Sequence, residues 1–344
     1  MAQSILFLAH VDELGRGLPR VAFEVLGAVL DTAQHIGDSL TIGILGENIQ
    51  YAADSVARVG VRIVGVSGEE FAQPRYASDT AAAEAICRAV APQIVIAPAT
   101  SRFLRVLAGV AHRLNGQVET HVTSIETADH AVSVKRWFYR QRVEALLQRD
   151  VRPWFLMMDP GCHEAWSGPA ATANIEMIDV PLGPEFKRTS AAGIRVPKSD
   201  AQTIRPDAKL LFVAGAGWCK KQSDGKTHVP EAEAAILEFL QESGASLGGS
   251  KSLVDQSGES QSVLRFMTHL NQVGQTGSTP RHPKGLSACC HGEEPHVVGW
   301  RFIKERRAIN LDPNCGWARG KADVLYVADA FQVIPKLNAL LSKK

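Results

Sequence analysis

SILFLAHV, residues 4–11, has no polar residue between Ile5 and Ala9. A strand that is apolar on both faces needs cover on both, the habit of a parallel sheet with helices above and below it. The rest of the first half repeats this unit. Residues 18–36 place Val21, Val25, Val29 and Ile36 at helical spacing, with Leu26 and Leu30 beside them. LTIGILG (40–46), VRIVGV (61–66) and QIVIAPA (93–99) are further short apolar runs. Helical segments at 52–60 and 78–91 separate them, and a helix over about 102–115 follows. VSVKRWFYRQRVEALLQ (132–148) and PWFLMMD (153–159) read as antiparallel strands that complete this α/β domain.

Composition narrows the classes. The 344 residues are too many for one ordinary domain, so two are expected. Lys plus Arg number 37 and Asp plus Glu 36, which leaves no positive field to displace counterions from nucleic acid. The mixture of Arg and aromatic residues in KRWFYRQRVEALLQRDVR (135–152) can mark single-strand binding, but its alternation fits a strand with one wet face. No apolar run of about 18 residues occurs, so no direct membrane insertion is expected. The opening MAQSILFLAHVDE lacks the features of a signal peptide, and Cys87, Cys162, Cys219, Cys289, Cys290 and Cys315 are expected as reduced thiols. A cytoplasmic protein is the expectation.

From residue 181 to about 208 large apolar residues give way to Pro, Ser, Ala and charge. The expected division is an N-terminal domain over 1–188, a linker over 189–208 and a second domain over 209–344. The second opens with KLLFVAGAGW (209–218), a buried strand running into Gly215 and Gly217, where an α/β sheet places its ligands. A tight strand-to-helix turn is the plainer reading of those glycines. A helix at 230–243, a strand end in ERRAINLDP (305–313), ADVLYVADAF (322–331) and a closing helix at 331–342 complete a second α/β wrap.

Its most pointed segment is NQVGQTG (271–277). Gly274 and Gly277 free backbone N–H groups to form an anion-cradling nest, Thr276 adds a hydroxyl and Gln275 an amide; an ordinary loop is the alternative. ACCHGEEPHVVGW (288–300) holds Cys289, Cys290, His291 and His296, with no C-x-x-C anywhere in the chain, so the spacing does not suit a metal. His10, His112, His121 and His163 have no evident chemical partners and read as structural. G-x-S-x-G, H-E-x-x-H and a Walker lysine are all absent, which leaves a hydrolase without an anchor.

SLGGSKSLVD (246–255), NQVGQTG, the loop carrying His296, AINLDP (308–313) and ADVLYVADAFQVIPKL (322–337) together resemble, in order and spacing, the α-subunit of the electron transfer flavoproteins. The first domain resembles that family in pattern along its length. The resemblance implies two Rossmann-like parallel-sheet domains joined by a linker, the C-terminal one an FAD-binding, doubly wound domain. It implies a non-covalent FAD, with Ser250 and the turn of Val273, Gly274, Gln275, Thr276 and Gly277 facing its phosphates and ring. It puts Thr276 near the flavin N5, His296 near O2, Lys251 in place of an arginine beside the ring, and Asn310 and Asp329 on the adenosine half.

The implied partners are an electron transfer flavoprotein β-subunit carrying AMP or a second FAD, a flavin-dependent dehydrogenase as donor and a membrane quinone oxidoreductase as acceptor. The implied role is an electron carrier and not a catalyst of its own, which suits a chain with no nameable base or nucleophile. Two departures stand out. The family's Gly-Gly-Arg-Gly is here GAGW (215–218), which removes an arginine and puts Trp218 next to the site, and the segments 220–230 and 256–272 are longer than usual. They motivate a second reading, a nucleotide-binding or scaffold module that has lost redox function.

Overall fold

The structure is a computed structural model. It describes residues 4–343 apart from 13, 16, 37–38, 129–130, 140–142, 191, 193–203, 206–207, 256–262, 275–279, 289–302, 316–318 and 320–321. The chain divides into two compact units, Met1–Arg195 and Val196–Lys344.

In the first unit the strands are β1 (Ile5–His10), β2 (Leu40–Gly46), β3 (Arg62–Ser67), β4 (Ile94–Pro98), β5 (Gln117–Ala128), β6 (Ala131–Phe138), β7 (Val143–Leu147), β8 (Trp154–Met158) and β9 (Glu176–Met177). They form one sheet in the order β7-β6-β5-β8-β4-β1-β2-β3-β9. The helices are α1 (Arg20–Ile36), α2 (Gln50–Asp54), α3 (Tyr76–Val90) and α4 (Ser101–Arg113). Alternate residues of β1 serve opposite faces. Ile5, Phe7 and Ala9 join a core with Val25, Leu26 and Val29 of α1. Leu6 and Leu8 join another with Ile86 of α3 and Phe103 and Leu107 of α4. Each of the larger side chains among them contributes roughly 1.5–3 kcal/mol on burial, so a polar residue within the run 5–9 would be costly.

The reading of 153–159 is corrected. β8 is parallel to both β4 and β5 and lies between them. All five of its residues are buried, the mark of a central strand covered on both faces. Among the described residues the antiparallel pairs are β5 with β6 and β6 with β7. β5 itself was not anticipated. Its Val and Thr residues suit a strand, and its buried Glu119 is paired with Arg136 of β6 and with Arg149.

A second charge pair lies deeper. Arg102, on α4, donates to Asp79 of α3 through Nε at 2.9 Å and Nη2 at 2.6 Å. Nη2 also donates to the Phe71 carbonyl at 2.7 Å, and Asp79 accepts from the Arg75 N–H at 3.2 Å. Both side chains are 1% exposed.

The second unit contains β10 (Leu210–Ala214), α5 (Val229–Ser243), β11 (Ser246–Gly249), α6 (Lys251–Asp255), β12 (Lys284–Ala288), β13 (Glu305–Asn310), β14 (Val324–Val327) and α7 (Ala330–Leu341). The strands are parallel throughout, in the order β11-β10-β12-β13-β14. Chain order therefore reverses between β10 and β12, the switch point at which a doubly wound sheet opens a crevice at its carboxyl edge. One core packs Phe212 and Leu247 against Ile236, Phe239 and Leu240 of α5 and Ile334 of α7. Leu211 and Val213 face a smaller cluster with Val273, Ile303 and Ala308. α5 stops at Gly244, whose φ of 63° closes the helix in the left-handed region.

Replacing Arg102 by Ala leaves the Asp79 carboxylate buried without its partner. Denaturant unfolding is expected to show a loss of roughly 3–5 kcal/mol, whereas a matched apolar replacement of both residues should recover most of it.

Candidate functional site

The carboxyl edge of the second sheet is built from backbone first. The Ser250 N–H donates to the Ala214 carbonyl at 2.9 Å, which brings the end of β11 against the end of β10. The Gly215 N–H donates to the Ala288 carbonyl at 2.8 Å and does the same for β12. The Val273 N–H donates to the Gly249 carbonyl at 3.0 Å, and Gly249 and Gln272 form a parallel bridge. The 271–274 turn is thus laid along the end of β11. Gly248 makes the approach possible, and Gly249 leaves room for the end of the Met267 side chain. A Cβ on Gly248 would fall 2.6 Å from Val273 Cγ2, and one on Gly249 would fall 2.1 Å from Met267 Cε.

Side chains then fix the turn. Asn271 Nδ2 donates to the Leu247 carbonyl at 3.3 Å, and Gln272 Nε2 donates to the Gly274 carbonyl at 3.3 Å. Gly274 has φ of 85°, a conformation that favours glycine. Ser250 Oγ accepts the Leu253 N–H at 3.3 Å and so caps α6. Lys251, the first residue of α6, puts its Nζ 3.5 Å from Asp255 Oδ2, both side chains being half-exposed.

Ser250, Lys251, Val273 and Gly274 therefore meet at one corner of the edge. Asn310 closes β13, where its Oδ1 accepts the Asp312 N–H at 2.9 Å. Asp329 follows β14 and caps α7, its Oδ1 accepting the Phe331 N–H at 2.9 Å. Both have local structural roles at the same edge, and a carboxylate or an amide can engage further partners beyond one such bond. Gln275, Thr276, Gly277 and His296 lie outside the described residues, as do Cys289, Cys290 and His291. Trp218 lies in the short 3₁₀ turn that follows Gly215. Its ring is fully buried, 4.6 Å from that of Phe331, in the core between the glycine turn and α7. The sequence reading missed Asp255 as the partner of Lys251; the four-residue spacing of the pair was its signal.

The long 220–230 segment folds over the same glycine turn. Gln222 Nε2 donates to the Gly217 carbonyl at 3.0 Å, and His228 Nε2 lies 2.7 Å from Asp224 Oδ2. The hydrogen bond to Asp224 holds the His228 pKa above its ordinary value, with Glu231 adding to it. Asp224 in turn is held low, first by the Lys226 N–H and then by His228.

Elsewhere the candidates are plainer. His10 sits buried between the Val11 carbonyl and Thr100 Oγ1. Burial pushes the Cys87 thiol up to about 12 and that of Cys219 to about 11, so neither is a ready nucleophile. A cleft of about 220 Å³ in the first unit is lined by Asp31, His35, Thr123, Cys162 and His163 and contains none of the expected site residues. Among the described residues no cluster of three or more His, Cys, Asp or Glu could hold a metal, and no helix is long and apolar enough to cross a membrane.

Residues 9–182, just over half of the chain, match the family model described as the electron transfer flavoprotein domain. The chain belongs to the electron transfer flavoprotein family. The matched region is the first unit, which the sequence motifs had marked only by pattern. Relatives extend the likeness through the second. The electron transfer flavoprotein subunit alpha of Syntrophomonas wolfei subsp. wolfei is 23% identical over 338 residues, covering 97% of this chain and 98% of its own. The subunit alpha of Bradyrhizobium diazoefficiens is 26% identical over 315 residues, 91% of this chain and 92% of its own. Protein FixB of Clostridium saccharobutylicum is 26% identical over 328 residues, 94% and 92% respectively. The similarity to these relatives thus spans both units.

Two outcomes follow from the geometry of the edge. Gly248→Ala should cost roughly 1–3 kcal/mol in thermal or denaturant unfolding, because the buried, β-branched Val273 must shift and carry the 271–274 turn with it. An NMR titration should find His228 with a raised pKa that returns toward the ordinary 6.5 in Asp224→Asn. The His228–Asp224 clasp is complete below the unfolded histidine value and is lost as pH rises through the raised folded value. At the acid end it is lost again as pH falls through the lowered value of Asp224.

Proposed function

We propose that this chain is the α-subunit of a heterodimeric electron transfer flavoprotein that holds FAD on the carboxyl edge of its second sheet. It carries electrons from a flavin-dependent dehydrogenase to a membrane quinone oxidoreductase. Its β-subunit partner brings AMP or a second FAD, and the pair works in the cytoplasm. What carries the reading is the meeting of Ser250 and Lys251 from one segment with Val273 and Gly274 from another at one corner, with Asn310 and Asp329 along the same edge.

The residues suit the cofactor. Glycine at 248 leaves room for Val273, and with it the turn, against the sheet, and Gly274 has the left-handed conformation that recurs in backbone anion nests. Lys251 supplies a positive charge half-open to solvent. FAD, when bound, supplies the redox chemistry, storing and releasing electrons at its isoalloxazine ring. The protein binds it, orients it and sets the electrostatics around it. In this proposal Gln275, Thr276 and Gly277 continue the cradle, and His296 presents a donor to the ring. A cation or oriented N–H beside a ring that gains negative charge on reduction favours the reduced form. No base or nucleophile is required of an electron carrier.

The chain should be produced with a β-subunit and its visible absorption followed during stepwise reduction. Flavin bands that bleach on reduction, with FAD identified in the released chromophore, are the expected result. A colourless complex that takes up no added FAD would sink the proposal.

A further inference from the structure

Asp255 lies between two segments of the corner. Its Oδ2 is 3.5 Å from the Lys251 ammonium, one turn back on α6. Its Oδ1 is 4.0 Å from Nδ1 of His269, on the 3₁₀ turn that leads into Asn271. That turn is itself anchored: Asn271 Oδ1 accepts the Thr268 N–H at 3.2 Å, and Thr268 Oγ1 accepts the Leu270 N–H at 3.2 Å. The carboxylate is 40% exposed and the lysine 44%. An exposed pair of this kind adds little to stability. It decides where a flexible four-carbon side chain spends its time, and how much of its charge is balanced locally.

We propose that Asp255 is a positioning and charge-balancing residue for the cofactor site: it restrains the Lys251 ammonium and offsets its charge, holding the reduction potential of the bound flavin below the value that Lys251 alone would set. The inference rests on the reading that this edge holds FAD. Removing a negative charge from the surroundings of a ring that becomes more negative on reduction would shift the equilibrium toward reduction. Freeing Lys251 to turn toward the ring acts in the same direction. The effect therefore has a definite sign and depends on the lysine.

The test is a spectroelectrochemical titration of the co-purified complex with its β-subunit, comparing wild type with Asp255→Asn, Lys251→Met and the double variant. Asp255→Asn is expected to raise the ratio of reduced to oxidised flavin at a fixed poise by about ten-fold, the scale of one charge in a partly solvated site. Lys251→Met should lower that ratio, and the Asp255→Asn effect should shrink in the Lys251→Met background. Asp255→Glu, which restores the charge, should restore the wild-type value. A variant that merely loosens the fold would lose FAD without this pattern of signs, which would overturn the inference. Normal FAD content with an unmoved potential in Asp255→Asn would also overturn it and leave the proposed function standing. A wild-type complex that binds no FAD would remove both.

Discussion

In a parallel sheet every strand must run the same way, so every connection returns to the opposite end. This constraint organises the second unit. It sends the ends of β10, β11, β12, β13 and β14 to one edge, and the residues that follow them arrive there together although the chain separates them by more than a hundred positions. Side-chain chemistry is added to that edge only afterwards. Ser250 caps a helix, Asp329 caps another, and the 271–274 turn is bonded to Gly249 through backbone. A site assembled this way inherits the rigidity of the sheet, and polar side chains are spared most of the positioning.

Much of this was legible in the chain. Doubly apolar runs such as 5–9 announce central parallel strands because each face has its own core to satisfy. The glycine turn 271–277 announced itself because only glycine gives such backbone freedom at low steric cost. Other parts were hidden for physical reasons. The direction of β8 is set by a connection and not by its own residues, and the antiparallel pair β6–β7 just before it pointed the wrong way. β5 carries Glu119 on its buried side, a charge that sequence alone cannot see neutralised by Arg136 and Arg149. β12, KGLSA, is short and small-sided, with little hydrophobic signal to offer.

The departures from the family pattern also take physical form. A missing arginine looks like a lost function when read as a letter. In the fold, the neighbouring Trp218 is spent on the core beneath the glycine turn, packed on Phe331 of α7. The lengthened 220–230 segment is bonded back to that turn through Gln222 and clasped by His228 and Asp224. The divergence around β10 is thus absorbed by core packing and by hydrogen bonds back to the glycine turn, while the 271–274 turn is bonded to the end of β11 through backbone.

The buried Arg102–Asp79 pair has a bearing on how such a chain can drift through sequence space. Losing either member alone strands a charge in the core, while exchanging both for apolar residues is close to neutral. Single substitutions cannot cross that gap without passing through a weakened protein. The apolar positions around the pair are free to trade one hydrocarbon for another step by step. Lineages of this protein should therefore differ widely across the walls of the first unit's core and yet keep, or drop together, the two charges at its centre.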